Sequence, residues 1–205
     1  MKIGLLVEGA IDEEILPPLL KDVFGRLRDS DPIDTMVFPF PPNGYGEIPK
    51  NLKMLVRLYQ IPSERERLGC GLFVIVHDFR KTKAVRKEVS RILREAHDFP
   101  AVYGLAIQET EAWVLGDIDH VNEKVFQVSP VPRLALPPEQ DPDPKKTLTE
   151  LWVKPSREIP YDRWNLDCAR LTAPHLRSSQ VSRRCPRGFG KLVSSLRRTR
   201  RASGK

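Results

Sequence analysis

The sequence predicts an α/β fold: a parallel sheet flanked by helices, followed by a helical C-terminal extension. Three observations predict it. Short apolar runs rich in β-branched residues alternate with helix-period segments over residues 1–125, in the order βαβαβαβα. Strands separated by whole helices pair in parallel, and their crossovers are right-handed. Beyond a proline-rich stretch the remaining pattern is short and helical.

The elements follow in order. Residues 2–7, Lys-Ile-Gly-Leu-Leu-Val, read as a buried strand that stops at Glu8. Ile15, Leu16, Leu19, Leu20, Val23, Phe24 and Leu27 then share one helical face. Pro17-Pro18 inside it lack amide donors, so the helix is expected to start late or to bend there. Residues 35–40 form a second strand, halted by Pro41-Pro42-Asn43-Gly44. A helix covers residues 50–60, with Leu52, Leu55, Val56, Leu58 and Tyr59 as its apolar side. Residues 72–76 are the clearest strand, ending at His77-Asp78. Residues 81–97 are the clearest helix: Val85, Val89, Ile92, Leu93 and Ala96 line one side. Lys81, Arg86, Lys87, Arg91 and Arg94 line the other, a basic stripe that suits either solvent or a phosphate backbone. Residues 102–107 are a fourth strand, and residues 110–115 look helical.

Prolines at 130, 132, 137, 138, 142 and 144 mark a linker or extended loop. Thr147 and Glu150 offer a capping box before Leu151-Trp152, and residues 161–171 offer a second helix. Phe189, Leu192, Val193 and Leu196 fit the spacing of a third. The chain thus divides into an α/β domain over 1–125 and a basic helical extension over 126–205. Trp113, Trp152 and Trp164 are expected in the core.

With 205 residues and 40% hydrophobic content, the chain is neither a small disulfide scaffold nor globally disordered. Its net charge of +7 is concentrated: residues 177–205 hold ten Lys/Arg and no acid, which leaves 24 bases against 27 acids elsewhere. Such asymmetry points to a polyanionic partner, nucleic acid above all. Cys70, Cys168 and Cys185 form no CxxC pair, which argues for a reducing cytoplasm and against a zinc knuckle. The first apolar run is too short for a signal peptide, and no run reaches the roughly 20 residues of a membrane span.

The chemistry lies in where the acids fall. Ligands of an open parallel sheet bind beyond the carboxyl ends of its strands. Glu8 follows the first strand, Asp78 the third, and Glu109 and Glu111 the fourth. Asp12 sits on the opening turn of the first helix. Carboxylates gathered at one edge need a cation to stay ionised together. Hard oxygen donors select Mg²⁺ or Mn²⁺. Gly9 permits a tight turn that brings backbone amides near a phosphate. Acids in these places also serve as helix caps and solvated loop residues, and Asp12 and Glu13 suit a helix N-terminus. His77 is expected to face away from Asp78, as strand neighbours do, and to pack in the core or support the site from behind, with contact to the site itself as the alternative. Cys185 is read as structural.

The residues carry a resemblance. Leu5-Leu6-Val7-Glu8-Gly9-Ala10-Ile11-Asp12 resembles the strand–Glu-Gly–helix opening of toprim domains, and more closely that of the toprim-like nucleases related to the overcoming-lysogenization-defect proteins. Phe73-Val74-Ile75-Val76-His77-Asp78-Phe79-Arg80 stands in the place of the toprim Asp-x-Asp motif. The run from Glu111-Ala112-Trp113 to Leu115 and Asp117, and Cys185-Pro186-Arg187-Gly188-Phe189 with Leu192 and Leu196, look like two further signatures. Together they are similar to the bacterial family of domain of unknown function 4276. The resemblance runs from residue 2 to about 198 and is weakest over 121–160.

It implies a toprim-like (Rossmann-like) fold and a magnesium-dependent nuclease or related phosphodiester-processing enzyme, acting on DNA rather than RNA. Glu8 would be general acid/base or metal ligand, and Asp78 would anchor the ion. Glu111, Glu109 and Asp12 would complete the shell. The family further implies defence against phage or plasmids beside a separately encoded ATPase; this chain has no Walker A pattern of its own. One departure matters: Arg80 stands where the motif has its second acid. Either Arg80 contacts phosphate as a guanidinium, or the chain is a noncatalytic nucleic-acid-binding or partner-docking module with a degenerate site.

Overall fold

The apolar runs pair as the alternation requires. In the computed structural model, which describes residues 1–26, 34–37, 47–79, 83–130, 133–152 and 163–203, strands β1 (Lys2–Leu6), β2 (Asp34–Val37), β3 (Leu72–Asp78) and β4 (Ala101–Ala106) form one sheet. Its order is β2-β1-β3-β4 and every pairing is parallel. Register sets Ile3 opposite Thr35 and Leu72, and Val74 opposite Val102. The architecture is α/β and Rossmann-like.

Strand alternation divides the core between the two faces. Ile3, Leu5, Leu72, Val74 and Val76 pack with helix α1 (Ala10–Arg26) through Ile15, Leu16, Leu19 and Leu20. Leu6, Phe73 and Ile75 face the other way, against α2 (Ile48–Gln60) and α4 (Lys83–Glu95) through Leu52, Leu55, Val89 and Ile92. β3, covered on both faces, is correspondingly apolar along its length.

The C-terminal helices belong to the first of these cores. Helices α5 (Glu111–Gly116), α8 (Leu166–Thr172), α9 (Ser178–Arg184) and α10 (Phe189–Ser203) contribute Trp113, Cys168, Val181, Phe189 and Leu192 to the cluster that holds Ile3 and Val74. α10 lies on β4 so closely that a Cβ on Gly104 would meet Leu192 Cδ1 at 3.0 Å. The basic stretch is therefore largely structured: its apolar side is buried and its cations line the surface. Trp113, Trp152 and Trp164 are all buried, and the three cysteines are free buried thiols.

Several boundaries differ from the sequence reading. α1 starts at Ala10 and continues through Pro17-Pro18, with no late start; burial of its leucines offsets the two missing amides. A short helix, α3 (Pro62–Leu68), has no counterpart in that reading, because its Ser-Glu-Arg-Glu-Arg stretch has no apolar period. It ends on Gly69 in the left-handed region at φ 60°. α7 (Pro144–Trp152) is not capped by Thr147: the Asp143 carboxylate accepts from the Lys146 amide at 3.1 Å, and Pro144 opens the helix. α8 starts only at Leu166, capped by Asn165, whose side chain accepts from the Cys168 amide. Residues 38–40 of the expected second strand, 80–82 before α4 and 161–162 of the expected helix lie outside the described residues. The proline-rich stretch includes a buried anchor. Glu139 accepts from the amides of Arg187 (3.0 Å) and Gly188 (2.5 Å), clamping the turn before α10. No helix among the described residues is long and apolar enough to cross a membrane.

Candidate functional site

From β1 the chain crosses to β2 on one side, and from β3 it crosses to β4 on the other. The carboxyl ends of the adjacent strands β1 and β3 therefore flank a topological switch point, the crevice where open α/β sheets bind ligands. Glu8 follows β1 and Asp78 closes β3. The Asp78 amide donates to Glu8 Oε1 at 3.1 Å, so the two strand ends present their acids together.

Asp12 joins them from the first turn of α1. Its Oδ2 accepts from the Gly9 amide at 3.0 Å, and its Oδ1 accepts from the Thr110 hydroxyl at 2.5 Å. The second bond ties the β1–α1 turn to the β4–α5 turn across the crevice mouth. That second turn also delivers Glu109 and Glu111, the latter buried as the first residue of α5. Gln108 in the same turn takes a left-handed φ of 67°, a conformation that costs a non-glycine residue about 1–2 kcal/mol.

Burial and mutual repulsion leave these acids reluctant to ionise. Asp78 is pushed up to about 9, first by desolvation and then by Asp12, Glu8, Glu111 and Glu109 in turn. Glu8 is raised to about 7 by burial and by Asp12, against the stabilising Asp78 amide. Glu111 is raised to about 7 by burial, Glu109 and Asp12, while Lys145 works in the opposite direction. Asp12 is raised too, chiefly by burial. Each carboxylate thus acts electrostatically on at least one of the others: the sequence-predicted acids Glu8, Asp12, Asp78, Glu109 and Glu111 form one cluster. Arg80 lies outside the described residues.

A cluster of carboxylate oxygen donors has the chemistry of a hard divalent-cation site. The side chains are not yet arranged as a closed shell, however. Among the described residues, no three His, Cys, Asp or Glu side chains stand ready as ligands of one metal ion. Asp12 is already committed to Gly9 and Thr110.

Comparison of the chain with protein-family models, curated proteins and solved structures finds no match in any of the three. The site must therefore be read from its own geometry.

Two neighbours of the cluster, Thr110 and Lys145, escaped the sequence reading, and His77 takes the place beside the site that it allowed. Thr110 supplies the hydroxyl that fixes Asp12. Lys145, on the opening turn of α7, acts on Glu111 from a segment far away in sequence. His77 is buried as expected, yet its Nδ1 lies 3.6 Å from Glu8 Oε1. That nitrogen donates to the Asp78 carbonyl at 2.7 Å, so Nε2 accepts from the Tyr103 hydroxyl. Burial lowers the His77 pKa, which keeps the ring neutral beside Glu8. Only the Thr-Glu dipeptide beside Glu109 hinted at Thr110; Lys145 and the reach of His77 depend on tertiary packing.

Remaining parts of the quoted motifs serve the scaffold. Asp117 is buried and pairs with Arg177 at 2.6 Å, and the Cys185 thiol donates to the Ala112 carbonyl at 3.3 Å. A cleft of about 740 Å³ between the proline-rich stretch and α9 includes none of the five clustered acids in its lining.

Proposed function

We propose that this chain is a metal-dependent enzyme that processes phosphodiester bonds, in its simplest form a nuclease acting on DNA. The supporting observation is the cluster itself: acids from three strand ends meet at the switch point, with Asp78 held near a pKa of 9 by its neighbours. Strongly perturbed acids gathered at a switch point are a pattern typical of functional sites. Asp78 and Glu111 are the ligands for Mg²⁺ or Mn²⁺, with Glu109 beside them. A bound cation supplies charge neutralisation and polarises a phosphoryl oxygen.

The other roles follow from the chain's own groups. Glu8, titrating near neutrality, moves a proton as general acid/base, and the Asp78 amide orients its carboxylate. Neutral His77 packs beside Glu8 without locking it into an ion pair. Asp12, fixed by Gly9 and Thr110, supplies negative charge that sustains the acidity shifts. Lys145 is placed to attract the phosphate toward Glu111.

A second reading has an observation in its favour: no ready-made three-ligand group stands among the described residues. In that reading the chain binds nucleic acid or docks a partner without cutting. Incubating single-stranded and plasmid DNA with the protein and Mn²⁺ separates the two. The nuclease reading expects cleavage that falls at least about 100-fold in Glu8→Gln and Asp78→Asn. Bound but intact DNA, with wild type and variants alike, favours the second.

A further inference from the structure

Resting on that reading, we propose that the substrate strand reaches the carboxylate cluster through the cleft between α4 and α10, and that it does so as single-stranded nucleic acid. The cleft, about 560 Å³, opens over β4, the edge strand of the sheet. Phe79, one residue past Asp78, and Ile107, two residues before Glu109, are among its lining residues. The cleft thus adjoins the strand ends that carry Asp78 and Glu109, while none of the five acids itself lines it.

Its lining is one-sided in charge. Arg86 enters from α4, Arg187 from the turn before α10, and Lys191 and Arg198 from α10 itself. Among the described residues no Asp or Glu lines it, and none of the four cations is in an ion pair with a described residue. Some cations elsewhere are paired: Arg91 with Glu88 and Glu95, Arg170 with Glu14 and Arg184 with Asp119. Four cations bordering one cleft give it a positive potential that attracts a polyanion.

Ser90 and Ser195 add hydroxyls of the kind that contact phosphates and sugars. Phe79, 38% exposed at the mouth of an active site, offers a face on which a base can stack. Lys191 and Arg198 are two helical turns apart, about 10 Å, enough to follow a few nucleotides. α4 and α10 lie on opposite faces of the sheet, so the cleft runs along the edge strand between them, and a stacking face such as Phe79 is open only to an unpaired base.

The test is fluorescence anisotropy of a labelled oligothymidylate in EDTA, so neither metal nor cleavage enters. Wild type is expected to bind at low salt. Exchanging Lys191→Gln and Arg198→Gln together lowers affinity about tenfold and reduces the slope of log K against log[salt] by about 1.4. Phe79→Ala weakens binding about tenfold with the slope unchanged. Arg57→Gln, an exposed cation on α2 outside the cleft, leaves binding as it was. Wild-type binding by the cleft variants overturns the proposal. So does a wild type that ignores the oligonucleotide, or a blunt duplex or an acidic peptide that binds more tightly through the same residues. A protein that binds in the cleft but never cuts refutes the nuclease, not the cleft; one that cuts regardless of these substitutions refutes the cleft, not the nuclease.

Discussion

An acid whose pKa stands near 9 is protonated at neutral pH until a cation arrives, so Asp78 costs stability whenever it is forced to ionise alone. The folded state holds its proton to higher pH than the unfolded chain, in which an aspartic acid titrates near 4. The stabilisation is complete below that value and is lost as pH rises, to about 7 for Glu8 and Glu111 and to about 9 for Asp78. Metal-free protein should therefore melt at progressively lower temperature from pH 5 to pH 9. Asp78→Asn removes the largest of these losses and should raise stability at pH 8 by about 1–3 kcal/mol while removing metal binding. Denaturant titrations of both proteins at pH 5 and pH 8 check the sign: a variant less stable than wild type at pH 8 contradicts it. The five acids were legible in the sequence because each follows a strand end or opens the helix after one. Thr110 and Lys145 were not, since one hydroxyl and one exposed lysine leave no periodic trace.

At the scale of elements, strand-end acids are useful only if the turns that present them are fixed, and α10 fixes β4. A methyl group on Gly104 would meet Leu192 Cδ1 at 3.0 Å, so Leu192 would have to give way slightly. Gly104→Ala should cost about 1–3 kcal/mol through overpacking, and Leu192→Ala about 2–5 kcal/mol through a cavity. Combined, they should cost clearly less than the sum, because the small side chain at 192 makes room for the methyl group; strict additivity in urea melts excludes the contact. Long apolar strands and the two-faced α4 could be read from periodicity. The cap of α7 could not, because Thr147–Glu150 mimics a capping box one turn inside a helix that Asp143 and Pro144 had already begun. Nor could α3, which is polar on nearly every side.

For the whole molecule, the basic C-terminal stretch is scaffold and, in the proposed reading, the recognition surface. Its apolar side completes the core against β4 and α1, and Arg187, Lys191 and Arg198 border the cleft over β4. Removing residues 178–203 should therefore leave an unfolded or molten chain, seen as loss of a cooperative melt; a sharp transition in the truncated protein contradicts the shared core. The sequence suggested a basic extension because charge is visible in composition, whereas the way its leucines and Phe189 close the sheet emerges only in three dimensions.

The most direct test is calorimetric titration of Mn²⁺ into wild type and Asp78→Asn, at pH 6 and pH 8. The carboxylate cluster predicts binding by wild type that strengthens about tenfold or more between pH 6 and pH 8 as competing protons leave, with none in the variant. A folded wild type that takes up no Mn²⁺ at pH 8, or one that binds as well with Asp78 replaced, contradicts the metal site and with it the proposed chemistry.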